Sequence, residues 1–235
     1  MNKNIRVHIP YGGNEDYLKG CIQSLVEQVP EYSQHKRCIV VLNDTMDSIN
    51  WDFVGNKEFC IEKVPPVQLV HAQMLTWITK DAWENNQEIA IGIHTDAYLL
   101  PNGMKILMDT VKLAQESGKK WSHVDTGAFL LFYAFNIDFI IKENFVFDPQ
   151  LFPMYFEDNH YHSIAKSCGY EVIASDPYNQ SCFHYGSHMI RSNPIMARKN
   201  SLTFDRSKET YRQIWGGYPG EETHFPDRTA SGTRW

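Results

Sequence analysis

The chain has 235 residues, 43% of them hydrophobic and 21% charged, an ordinary globular composition that can bury a real core. Its formal charge of -6 argues against counterion-driven nucleic-acid binding as a main activity. Five cysteines, an odd count with no Cys-x-x-Cys pair, exclude a disulfide framework and a cysteine-type zinc site and read as reduced, mostly buried thiols. No charged-then-apolar leader opens the sequence, and no apolar run approaches the ~20 residues needed to cross a bilayer, so a soluble, cytoplasmic protein is expected.

Taken in order, Ile5, Val7 and Ile9 form a short strand pattern that Pro10 is expected to end, followed by a Tyr11-Gly12-Gly13 loop. Asn14 is an N-cap, with Glu15 and Asp16 in the first turn of a helix whose apolar face is Leu18, Cys21, Ile22, Leu25 and Val26. Cys38 to Leu42 is a continuous apolar run, as in a strand covered on both faces. A connection through Pro65 and Pro66 leads to a helix with Leu69, Ala72, Leu75, Ile78 and Ala82 on one side. Ile89 to Ile93 is a third buried strand, ending at His94, Thr95 and Asp96, and a third helix begins at Pro101 and Asn102. Ala128 to Phe132 reads as a strand, Phe156 to Cys168 as a helix and Glu171 to Ala174 as a strand. A polar segment with Arg191, Arg198 and Lys199 follows. Alternating strands and helices predict an α/β fold with a mainly parallel central sheet flanked by helices. Ligands of such sheets gather beyond the carboxyl ends of the strands, where Asp44 and His94–Asp96 fall.

Read singly, each candidate has two readings. The Pro10–Gly13 loop admits close approach of a phosphate or base, or is a plain tight turn. Asp44 accepts from a ribose or base, or caps a turn. Asp96, at the mouth of a strand with almost no polar residue, holds a hard cation or caps; His94, two residues earlier, shares its side if the segment is extended. Glu157 and Asp158 offer a general base, or complement a helix dipole. His184 and His188 are four apart, but Gly186 favours a loop, and no His-Glu-x-x-His motif occurs.

Together the segments resemble the GT-A glycosyltransferases, in particular the inverting nucleotide-diphospho-sugar transferases. VHIPYGGNEDYLKGCIQSLVEQ is similar to their first strand, loop and helix; IVVLNDTMDS to the second strand with its acidic base-binding turn, matched by Asp44; IAIGIHTDAYLLPNGMKIL to the strand carrying the DXD metal motif. FPMYFEDNHYHSIAKSCGYEV resembles the helix supplying the catalytic base, CFHYGSH the histidine that completes the metal or phosphate site, and IWGGYPGEETHFP a Trp-Gly-Gly tail found in some members, notably small virus-encoded ones. His94 stands where the first DXD acid is customary, and Ile214 where a Lys often precedes Trp215.

The resemblance implies one GT-A domain over residues 1–235, with 190–235 as a C-terminal extension covering the active site. It implies a metal-dependent, inverting hexosyl- or pentosyltransferase with Asp158 as base and Glu157 orienting. Asp96, His184 and His94 would hold Mn²⁺ or Mg²⁺, weakly in the absence of donor. Pro10, Tyr11, Asp44, Thr95, Arg191, Lys199 and Trp215 would bind a nucleotide-diphospho-sugar, a UDP-sugar. The acceptor would be a glycan, a protein or a modified nucleic-acid base. Two other readings are a weakened sugar-nucleotide or glycan-binding module and a nucleotidyltransferase of similar fold; against the latter, Pro10 to Asp16 lacks a basic residue.

Overall fold

A computed structural model describes residues 5–45, 47–126, 130–147, 150–151, 155–174, 180–186 and 194–224. The first strand, β1 (Val7–Tyr11), leads into helix α1 (Glu15–Val26), which Asn14 caps by accepting from the Tyr17 amide at 3.3 Å. Then come β2 (Ile39–Asn43), a short α2 (Trp51–Val54), β3 (Cys60–Lys63), α3 (His71–Glu84) and β4 (Ile89–Ile93). The chain continues through β5 (Ala97–Leu99), α4 (Gly103–Glu116), β6 (Trp121–Asp125), β7 (Phe132–Asn136) and α5 (Ile137–Lys142). Last among the described elements are α6 (Glu157–Ser167), β8 (Glu171–Ala174), β9 (Cys182–His184) and α7 (Pro194–Trp215).

Seven strands form one mostly parallel sheet in the order β3-β2-β1-β4-β7-β6-β8, in which β7 alone runs antiparallel to both neighbours. From β1 the connections move outward to β2 and β3, then return across the sheet to β4. The strand order therefore reverses between β1 and β4, the position at which open α/β sheets bind ligands. A separate two-stranded ribbon, β5-β9, stands beside that point.

Alternation of side chains sorts the core into two clusters on opposite faces of the sheet. Ile89, Ile91 and Ile93 join the cluster covered by α1 and α4, while Ala90 joins the one covered by α3, α5, α6 and α7. Phe132 and Ala134 divide from Tyr133 and Phe135 in the same way. Gly92 is required by this packing, because a Cβ there would lie 2.2 Å from the hydroxyl of Tyr133, its partner across the β4–β7 pair. A buried polar knot ties β1, β3 and α3 together. His8 Nε2 lies 2.9 Å from Asp81 Oδ2, Lys63 contacts the other carboxylate oxygen, and His8 Nδ1 donates to the Ile91 carbonyl at 3.0 Å. All five cysteines are free thiols, and no described helix is long and apolar enough to cross a membrane.

Four expectations need correction. Pro10 does not end the first strand. The Val7 amide donates to the Cys38 carbonyl just before β2 and the Tyr11 carbonyl accepts from the Asp44 amide just after it, so in strict alternation Pro10 turns its missing N–H toward β4, where the ladder has already stopped at His8. The strand expected at Ala128 to Phe132 begins only at Phe132: Leu130 takes φ 45°, which a strand does not accommodate, and residues 128–129 lie outside the described ones. The Pro65–Pro66 connection is preceded by β3, an edge strand whose Glu62 and Lys63 are only half-buried. The polar segment after residue 193 is the 22-residue helix α7. Its buried positions Ser207, Tyr211 and Trp215 make one narrow stripe, too sparse to show as a periodic apolar face.

Candidate active site

Where β4 ends, the chain turns instead of remaining extended: the Ala97 amide donates to the His94 carbonyl at 3.1 Å. Thr95 points inward and donates through Oγ1 to the Pro10 carbonyl at 2.5 Å, which fastens the end of β4 to the end of β1. This turn, and not a shared face of a strand, puts His94 and Asp96 in one place. His184 reaches them through the β5–β9 ribbon, in which Ala97 is paired with His184 and the Tyr185 amide donates to the Asp96 carbonyl at 3.1 Å. One donor atom from each of His94, Asp96 and His184 lies within 4.8 Å of the others, and His184 Nε2 is 3.2 Å from Asp96 Oδ1.

The electrostatics suit a cation. Burial raises the Asp96 carboxyl, but the hydrogen bond from His184 and the two neighbouring imidazoles outweigh it, so the group is lowered overall and stays ionised. Burial, with His71 beside it, pushes His94 down to about 3 and keeps that ring neutral, the state in which imidazole ligates metals. His94 Nε2 is buried without a hydrogen-bond partner, which normally costs about 1–3 kcal/mol unless something else satisfies it. Two imidazoles and one carboxylate fit a borderline divalent cation such as Mn²⁺ better than Mg²⁺, which prefers oxygen alone.

His71 was invisible as a site residue in the sequence, where it stands merely at the start of a helix. Its ring meets that of His94 edge-on at 5.6 Å, and its Nδ1 contacts Glu157 Oε1. Burial pulls His71 down, yet the charge and hydrogen bond of Glu157 carry it above the ordinary value. Glu157 is buried at the first turn of α6, with its second oxygen lacking a partner. Beside it, Asp158 is raised to about 6, first by burial and then by the charge of Glu157. A carboxyl with that value is a proton acceptor poised near neutral pH. His71 thus links the cation-type cluster to the two acids.

The remaining candidates are placed differently. Asp44 is buried at the end of β2, where Oδ1 accepts from the Leu69 amide at 2.7 Å. Burial raises this carboxyl, against the opposing charge of Lys199 on α7. Tyr11 turns into the core, and burial, aided by Glu15, lifts its phenol to about 12. Trp215 is packed inside the protein. It has no exposed surface, and its Nε1 donates to His160 Nδ1 at 3.0 Å. The Trp-Gly-Gly tail forms a clasp that closes α7. Gly216 takes φ 70°, a Cβ on Gly217 would lie 2.0 Å from the Glu221 carbonyl oxygen, and the amides of Thr223 and His224 both return to the Trp215 carbonyl. Arg191 and His188 lie outside the described residues.

No family model and no curated protein sequence matches the chain. Its structure is similar to that of S. aureus TarS, with a TM-score of 0.55 at 12% identity over 77% of this chain and 36% of that one. It is similar to glucosyl-3-phosphoglycerate synthase from Mycobacterium tuberculosis in complex with Mn²⁺, uridine diphosphate and phosphoglyceric acid. There the TM-score is 0.56 at 11% identity, over 88% of this chain and 79% of that one. It is also similar to GalNAc-T7 with UDP, GalNAc and Mn²⁺, with a TM-score of 0.54 at 11% identity over 89% of this chain and 50% of that one. The chain thus spans about a third of the matched TarS chain and half of the GalNAc-T7 chain. At such identities the likeness is one of fold, and that fold is GT-A, the architecture of nucleotide-sugar glycosyltransferases.

Proposed function

We propose that this chain is an inverting glycosyltransferase that moves a hexosyl or pentosyl unit from a nucleoside-diphosphate sugar to an acceptor hydroxyl. The observation that carries the reading is the joining, through His71, of the His94–Asp96–His184 cluster to Glu157 and Asp158 at the point where the sheet reverses its strand order. His94, Asp96 and His184 would hold a divalent cation, which neutralises charge on a diphosphate. Asp158 takes the acceptor proton. The hydroxyl oxygen then bonds to the anomeric carbon as the bond to the diphosphate oxygen breaks, and the configuration inverts. Glu157, held by His71, orients the acceptor or the donor sugar. Asp44 and the Pro10–Tyr11 backbone would bind the nucleoside, and Lys199, with Arg191 as the family resemblance implies, would stabilise the departing diphosphate. In this reading the chain is a single GT-A domain whose segment from residue 190 onward covers the site. UDP is the nucleotide of choice for a first screen, since it accompanies Mn²⁺ in two of the similar structures.

The test is a screen of UDP-sugars for donor hydrolysis or transfer with Mn²⁺, alongside UDP binding by calorimetry. UDP binding is expected to strengthen with Mn²⁺ in the native protein and to lose that dependence in Asp96→Ala. An Asp96→Ala protein whose UDP affinity still responds to Mn²⁺ as the native one does would remove Asp96 from the metal site and sink the reading.

A further inference from the structure

A second cluster of the same composition lies on residues that the transfer reaction does not use. His123 and Asp125 are on β6, with His162 opposite them on α6. His162 Nε2 is 2.9 Å from His123 Nε2, His123 Nε2 is 3.4 Å from Asp125 Oδ2, and His162 Nε2 is 4.0 Å from that same oxygen. Donor atoms bound at ~2.0–2.2 Å in a tetrahedral zinc site stand ~3.3 Å apart, so the three separations bracket the edge of such a site.

Hydrogen bonding fixes how the rings present themselves. Ser122 Oγ donates to the Glu171 carbonyl at 3.2 Å, so toward His123 Nδ1, also at 3.2 Å, it acts as the acceptor. The neutral His123 ring then carries its hydrogen on Nδ1 and a lone pair on Nε2. That lone pair faces a carboxylate oxygen and a second imidazole nitrogen. His162 Nε2 approaches the same point, so that two imidazole nitrogens and a carboxylate oxygen converge. Such a convergence of donor atoms suits a cation. Tyr161 and Phe135 hold His123 in place at ring distances of 5.0 and 5.8 Å, and the Ser122 contact orients it from behind, as hydrogen-bond partners on the far nitrogen of metal-bound histidines do. The His123 side chain is wholly buried while that of His162 is 18% exposed, so the cluster sits at the margin of the core and not in its centre.

We propose that His123, Asp125 and His162 form a second divalent-metal site, of the zinc class, distinct from the cluster at Asp96. Two imidazoles and one carboxylate select a borderline transition ion over Ca²⁺ or Mg²⁺. The ion would bridge β6 to α6 one helical turn beyond Asp158. It would clamp the helix that carries both acids to the sheet.

The test uses the full chain stripped with a chelator and then titrated with Co²⁺, whose visible absorption reports tetrahedral nitrogen and oxygen ligation. Asp96→Ala/His184→Ala removes the other cluster. In that background one equivalent of Co²⁺ is expected to give the absorption band, and one equivalent of Zn²⁺ to raise the melting temperature. Adding His162→Gln should abolish both effects. Adding His162→Cys in its place should restore binding, with a new near-ultraviolet sulfur-to-cobalt band that no purely structural role for His162 produces. The proposal is overturned if the Asp96→Ala/His184→Ala protein takes up no Co²⁺, leaving a metal-free proton-sharing His–His–Asp group. It is equally overturned if the band survives His162→Gln or if the Cys variant shows no sulfur band.

Discussion

Asp158 and Glu157 are adjacent carboxylates in one buried turn, and their environments separate their roles. Glu157 has His71 as a partner, whereas Asp158 has the Asn159 amide at 2.8 Å and is raised to about 6 by burial and by its neighbour's charge. The transfer rate should therefore rise with pH through about 6 as Asp158 ionises. Asp158→Asn should lower turnover by about 10²–10⁴-fold, the usual loss for a general base, and erase that limb of the profile. Stability should move the other way. A carboxyl raised above its unfolded value favours folding while protonated and loses that contribution as pH rises past the folded value. Above pH about 6 the native protein must bury a charge that Asn does not carry, so the variant should melt at the same or a higher temperature. A variant that transfers sugar at the native rate, or melts well below the native protein at pH 8, would remove Asp158 from this role.

Among the elements, α7 is the one whose part in the molecule changed most. Its stripe of Ser207, Tyr211 and Trp215 seats it on α6, where Ser163 Oγ lies 3.0 Å from Tyr211 Oη and Trp215 donates to His160. Trp215→Phe removes that hydrogen bond and leaves part of the indole volume empty, for a loss of about 1–3 kcal/mol. In a chain of this size about 2–4 °C of melting temperature goes with each kcal/mol. Affinity for UDP should be unchanged, because the indole touches no open surface. Thermal unfolding and calorimetry on the same variant separate the two readings of Trp215. A stable protein with weakened UDP binding would restore it to the ligand site.

At the scale of the whole molecule, the Asp81 knot should contribute to the acid sensitivity of the fold. Burial alone would raise this carboxyl, but the hydrogen bonds and charges of His8 and Lys63 lower it to about 2, from 3.8 in an unfolded chain. A depressed carboxyl contributes stability above its unfolded value, and that contribution drains away as pH falls from about 4 toward 2. A shift of that size corresponds to roughly 2 kcal/mol. Denaturant unfolding of Asp81→Asn should show this loss at pH 7 and a flatter decline below pH 4. Unfolding curves with the native acid slope would mean that other groups govern acid stability.

The sequence by itself determined the α/β class, the strands that lead into Asp44 and into the His94–Asp96 turn, and the helix that begins with Glu157 and Asp158. Each of these is written in local periodicity: a buried parallel strand is a run of apolar residues, and an amphipathic helix repeats every three or four. Edge strand β3, the polar strand β6 and the sparse stripe of α7 escaped that reading, because their polar residues are satisfied by partners far along the chain. The assembly of the sites was decided by tertiary structure alone. His184 meets Asp96 across 88 residues through the β5–β9 pairing, His71 meets Glu157 across 86, and His162 meets His123 across 39. No local pattern encodes these meetings. They follow from which strands lie side by side, and the burial that tunes Asp158 and His94 exists only once the sheet and its helices have closed around them.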